Sequence, residues 1–166
     1  MGMRDRCGAR EERALMFDIM SGPLAPLKHA FGMCGWRAVA IDYLIDRSQD
    51  LADSAFQAKL HDDLKAADFI SAALDCSTKS RVREKAGFKA DGTPLPKPLR
   101  TMEQPMGLPN LAGHDKERVA RDNDAAEFVL SELKVAQRRG AGSVRENPLN
   151  SLHWCTPTEV ELFSTG

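Results

Sequence analysis

Three short apolar runs, each delivering the chain to an acidic residue or a tight loop, constrain the fold more than any other feature. Ala14-Leu15-Met16-Phe17-Asp18-Ile19-Met20 leads into Ser21-Gly22-Pro23, Trp36 to Ile41 into Asp42, and Asp68 to Leu74 into Asp75-Cys76-Ser77. Runs this short, bounded by turn residues, suit buried strands. Helical periods lie between them. Leu27, Ala30, Phe31 and Cys34 form the first, with Gly35 where a left-handed stop belongs, and Phe56, Leu60 and Leu64 form the second, reaching about Ala67. Strands alternating with helices predict a parallel sheet with right-handed crossovers.

Residues 77–115 interrupt this alternation. They carry Pro94, Pro96, Pro98, Pro105 and Pro109 with Gly87, Gly92, Gly107 and Gly113, a composition that predicts a long irregular excursion. The pattern resumes with an apolar stripe of Ala126, Val129, Leu130, Leu133 and Ala136 on a helix stopping near Gly140. Ser143-Val144-Arg145 then leads into Glu146-Asn147-Pro148, where the proline ends any strand, and Thr156-Pro157-Thr158-Glu159 opens a last short helix through Phe163. The expected fold is therefore α/β: a Rossmann-like, mostly parallel sheet of about five strands in three αβα layers. It forms one domain over 14–166, with a Pro-rich insertion over 76–115 and a polar leader over 1–13.

Composition narrows the function classes. With 42% hydrophobic and 28% charged residues the chain can bury a core, and 23 Lys+Arg against 24 Asp+Glu give no basic excess for wholesale nucleic-acid binding. Any such contact is local, for example along the basic run from Lys79 to Lys89. No stretch approaches the roughly 18 to 20 apolar residues that cross a bilayer, and the N-terminus lacks a signal-peptide core, so an intracellular location, nuclear or cytoplasmic, is expected, with no membrane partner. Cys7, Cys34, Cys76 and Cys155 form no CxxC and no Cys/His pair at zinc spacing, and His153 has no partner at ligand spacing, so no metal centre is expected.

Open parallel sheets bind ligands in the crevice beyond the carboxyl ends of their strands. The segment from Asp18 to Gly22, Asp42, Asp75-Cys76 and Glu146-Asn147 all fall at such ends. The first turn, SGPLAP, has neither GxGxxG nor a P-loop lysine, which speaks against a dinucleotide. Asp42, closing the second strand, holds the position from which a carboxylate accepts two ribose hydroxyls. A nucleoside-type cofactor fits that position.

The order of elements, with MFDIMSGPLAP, GWRAVAID, Asp50-Leu51, LDCSTKSR, PLRTMEQPMGLP and RENPLNSLHW, resembles the class I S-adenosylmethionine-dependent methyltransferases. Within them it is most similar to a shortened cytosine-C5 DNA methylase, and closest to the methylase-like segments of dinoflagellate open reading frames. The likeness runs over about residues 14 to 160. It implies S-adenosylmethionine as cofactor and DNA as substrate. Cys76 would attack C6 of cytosine, and Glu146 would bind the pyrimidine edge and assist protonation at N3, with Asn147 shaping the loop. Ser21 and Gly22 would lie near the methionine, Asp42 on the ribose, and Asp50 and Leu51 near adenine. Phe17 and Asp18 would line the same crevice.

A nucleophilic thiol needs an electropositive setting, for which Lys79, Arg81, Arg83 and Lys85 are close in sequence. Three departures from the family matter, of which the first is that its Gly-rich first loop is reduced here to Gly22 followed by Pro23, which stiffens the turn and crowds a cofactor carboxylate. Asp75 stands where the family has proline before the cysteine, and a carboxylate there works against thiolate formation. The later strands and the target-recognition part of a complete methylase have no counterpart in this sequence, so a further polypeptide segment is expected to supply them. The alternative expectation is a non-catalytic remnant or interaction module of a larger polyprotein.

Overall fold

The most apolar run forms the middle of the sheet: β1, Leu15–Ile19, is buried at every residue. The computed structural model describes residues 13–84 and 87–164, so the leader expected over 1–13, apart from Arg13, and Lys85 lie outside the described residues. Beside β1 run β2, Arg37–Ile41, and β3, Phe69–Ala73, and β4, Gly142–Glu146, completes a sheet of order β2-β1-β3-β4. All the pairings are parallel. Among the described residues the sheet thus has four strands rather than the expected five. The run from Arg145 turns out of the sheet at Asn147-Pro148, and Pro148 has no N–H to continue a ladder.

Asp68 sets the register at the amino end. Its carboxylate accepts the Leu15 N–H at 2.7 Å, its own N–H donates to Leu15 O, and its carbonyl accepts from Gly142 N–H. One residue thus aligns the starts of three strands.

Helix α1, Pro26–Met33, connects β1 to β2, and α2, Ser54–Leu64, connects β2 to β3. Helix α3, Gly113–Arg138, precedes β4, and α4, Pro157–Ser164, follows it. Gly35, at φ 86°, ends α1 at the expected stop. Alternation along β1 and β3 divides the sheet's faces. Leu15, Phe17, Ile19, Ile70 and Ala72 join Leu60 and Leu64 of α2, Val129, Leu130 and Leu133 of α3 and Leu162 of α4 in the core. On the other face Phe31 of α1 stacks on Phe69 at 5.3 Å and meets Trp36 edge-on at 5.1 Å. That layer is thin: no residue of α1 is buried, and Val144 on β4 stays 48% exposed.

Two charged clusters lie inside the fold. In the first, Glu159 of α4, fully buried, pairs with His153 Nε2 at 2.7 Å and with Arg145 Nε of β4 at 3.0 Å, which fastens α4 to the sheet's edge. The second pins the excursion after β3. Lys79 and Arg100 are 0% and 1% exposed, and both pair with Asp122 of α3, at 2.6 and 3.1 Å. The Thr78 hydroxyl also donates to Asp122, and Arg100 reaches Pro105 O and Asn123 Oδ1. The Pro-rich segment is therefore irregular but anchored. Burial pushes the Lys79 ammonium and the Arg100 guanidinium below their ordinary values, and the Asp122 carboxylate pulls both the other way. Among the described residues no helix is long and apolar enough to cross a membrane.

Candidate functional site

A cavity of about 540 Å³ opens at the carboxyl ends of β1, β2 and β3, between the loop after β2 and the first half of α3. Its size falls among ordinary small-molecule sites. Asp42, Asp50 and Leu51 line it from the β2 side, Leu74, Asp75 and Ser77 from the end of β3, and Arg118, Arg121 and Asp122 from α3.

Asp42 is held in place by the backbone. Gly22 N–H donates to Oδ2 at 2.8 Å and Leu44 N–H to Oδ1 at 2.7 Å, while Asp42 N–H is fixed by Gln49 Oε1. Each carboxylate oxygen accepts one N–H and so retains a lone pair for a hydroxyl. The next stretch is built the same way: Asp50 accepts the Ala52 N–H and pairs with Arg121 at 2.6 Å, and Leu51 O accepts from Gln57 Nε2. Asp53 then caps α2 through Ala55 and Phe56 N–H. Burial pushes the Asp50 carboxyl up, but the Ala52 amide and Arg121 together outweigh it and hold the group below its usual range.

The β1–α1 turn is contorted. Met20, Gly22 and Ala25 have φ of 57°, 69° and 42°, and two of the three are not glycine. Left-handed backbone at a non-glycine costs about 1–3 kcal/mol and concentrates at ligand-contacting turns. Met20 lines the cavity.

Not every expected residue lies there. Phe17 points into the core under α2 and α3, and Asp18, one residue on, points to the opposite face, so neither lines the cavity. Asp18 is 2% exposed and keeps Oδ2 without a partner among the described residues. Burial, reinforced by the nearby Asp42 charge, pushes its carboxyl up. Ser21 and Gly22 border the site through Gly22's bond to Asp42 rather than by lining it.

Cys76 is half-buried between two lining residues, Asp75 and Ser77, but is not itself in the wall. The Asp75 carboxylate is occupied locally by Ser77 N–H and Oγ, both at 2.8 Å. Glu146 pairs with Ala73 in the β3–β4 register, and buried Asn147 donates from Nδ2 to Leu74 O at 2.7 Å. The Cys76 loop and the Glu146-Asn147 loop thus leave the sheet side by side. Glu146 is exposed, however, and does not face the cavity wall.

The basic residues after Cys76 are mostly committed elsewhere. Lys79 is buried on Asp122, Arg81 pairs with Glu84 at 2.9 Å, and Arg83 donates to Ser77 O and Lys97 O. Arg118, Arg121 and Asp122 were not expected at the site. Their i, i+3, i+4 spacing puts them on one helix face, but an apolar period is needed to call a helix from sequence, and that part of α3 lacks one. No protein-family model, curated protein or solved structure matches this chain.

Proposed function

We propose that this chain is a nucleoside-cofactor-binding domain of the class I methyltransferase type. In this reading its cofactor is S-adenosylmethionine and its origin a cytosine-C5 DNA methylase. The observation that carries the reading is the cavity at the carboxyl ends of the central strands, where Asp42 is oriented by two backbone amides with acceptor capacity to spare. Asp42 would take the ribose hydroxyls. Asp50 would accept the adenine amino group, and Leu51 would give the ring an apolar surface beside it. These donor and acceptor types suit a nucleoside, and the cavity volume suits its size.

S-Adenosylmethionine supplies an electrophilic methyl group on a sulfonium. The chain's own part would be to ready the base: the Cys76 thiolate adds to C6 of cytosine while Glu146 delivers a proton toward N3, which raises electron density at C5. The adjacency of the two loops through Ala73, Glu146 and Asn147 supports this pairing. Glu146 is open to solvent in the described chain, and an acid acting on a flipped base works best enclosed. The proposal therefore includes a further polypeptide segment that covers Glu146 and contacts DNA.

A non-catalytic interaction module is the second reading, favoured by the uncovered face of β4 at Val144. Calorimetric titration with S-adenosylmethionine tests the pocket. Saturable binding abolished by Asp42→Ala supports it, and no binding refutes it. Covalent trapping on DNA carrying 5-fluorocytosine, lost in Cys76→Ala, supports the chemistry. Cofactor binding without an adduct, even with the covering segment added, favours the second reading.

A further inference from the structure

The cavity's charges are sorted by side, and all but one are spoken for. On the strand side, Asp42 and Asp75 have their oxygens engaged by backbone amides and the Ser77 hydroxyl. On the helix side, Arg121 is paired with Asp50, and Asp122 is shared by two buried cations. Arg118 is different. It lines the cavity half-buried, one turn before Asp122 on α3, and has no hydrogen-bond or ion-pair partner among the described residues.

A half-buried guanidinium without a partner is costly, since its donors are partly withdrawn from water and gain nothing in return. The wall behind it adds to the imbalance. Lys79 and Arg100, both with side chains 0% exposed, share the single carboxylate of Asp122, leaving a surplus positive charge just behind a cavity wall that Thr78 and Asp122 help form. The other carboxylate close enough to act on Lys79 is Asp75, which is exposed at the mouth. On its own helix the acid one turn back, Asp115, makes no ion pair with Arg118.

From this geometry we infer that Arg118 receives an anionic group of the cavity's ligand, so that the ligand is a nucleoside bearing a carboxylate or a phosphate rather than a neutral one. This rests on the nucleoside reading above and adds the charge of the ligand and the residue that reads it. Guanidinium matches either anion through paired N–H donors. Asp42 would hold the neutral hydroxyl end and Arg118 the anionic end, so the site discriminates by charge along its length.

The test is calorimetric titration of the whole chain with two matched pairs, each an anion against a neutral nucleoside: the deaminated, carboxylate-bearing analogue of S-adenosylhomocysteine against 5′-methylthioadenosine, and AMP against adenosine. The wild-type chain should bind the anionic member of one pair about tenfold more tightly, as expected for one charge-assisted contact. That preference should vanish in Arg118→Gln and survive in part in Arg118→Lys, while affinity for the neutral members stays unchanged. Preference within the first pair identifies a carboxylate as the recognised group, and within the second a phosphate. Binding of neutral and anionic members alike, or a preference that persists in Arg118→Gln, overturns the role of Arg118 and leaves the nucleoside site standing. Failure of all four compounds to bind overturns the nucleoside reading, and this inference with it.

Discussion

Removing the Asp122 carboxylate should be the most damaging single change in the excursion's anchor. Asp122→Ala leaves Lys79 and Arg100, whose side chains are 0% exposed, without the carboxylate that both contact at 2.6 and 3.1 Å. Arg100 keeps the oxygens of Pro105 and Asn123, so most of the loss falls on Lys79, whose ammonium is fully buried. Breaking one side of a buried ion pair costs about 3–5 kcal/mol, because the remaining charge stays desolvated and unpaired. Against a total stability of about 5–15 kcal/mol this is a large fraction. In urea, with a slope of about 1–3 kcal/mol per molar, the unfolding midpoint should fall by on the order of 2 M. Lys79→Met should cost much less, since it leaves Arg100 and Asp122 as a matched pair. Asp122→Ala made in the Lys79→Met background should then cost at least about 1 kcal/mol less than in the wild type. Amide exchange over 98–108 should accelerate more than in β1. A shift under about 1 kcal/mol for Asp122→Ala, or strict additivity in the cycle, would refute the claim that this cluster holds the Pro-rich segment.

Two further perturbations probe the sheet. A Cβ on Gly142 would lie 2.6 Å from Phe69 Cδ2, and Phe69 is itself wedged against Phe31, so Gly142→Ala should destabilise by about 1–3 kcal/mol in denaturant titration. Gly140→Ala does not measure the same clash, since that glycine has open space around it and a φ of 82° instead. Asp18 has its pKa raised by burial, so its charge subtracts stability above the folded-state pKa, and this loss is relieved as pH falls through that value. Asp18→Asn should therefore raise Tm at pH 7, and the gap should close as the pH drops toward the ordinary carboxylate range. A gap independent of pH would contradict a charge-burial origin.

Much of the sheet could be read from period alone. The runs around β1, β2 and β3 are short, apolar and closed by turn chemistry, and the crossover helices show their stripes, so strand and helix order followed from local signals. The expected five strands reduce to four among the described residues, because only three strand runs precede the excursion and one, β4, follows it. Helix α3 starts at Gly113, well before its visible stripe, because its first half is polar on nearly every face and is held by ion pairs instead of apolar packing. Those pairs are invisible in sequence: Lys79 and Arg100 lie 43 and 22 positions from Asp122, and nothing local marks them as partners. Of the residues placed by the carboxyl-end rule, Asp42 and Asp75 line the cavity, and so do Asp50 and Leu51, which the family resemblance had added. Asp18, from the same rule, and Phe17, from the resemblance, do not line it, because adjacent strand residues face opposite sides, and here one side is core and the other lies under α1.

The site at the ends of β1, β2 and β3 is tested most directly by following backbone amide resonances while S-adenosylhomocysteine is added to the isotope-labelled chain. Gly22 and Leu44, whose N–H groups hold Asp42, should shift in a saturable way together with Ala52 and Ser77, while Gly142 and Val144 on the open face of β4 stay still. Shifts confined to β4 and α4, or none at saturating ligand, would contradict a nucleoside pocket in this fold.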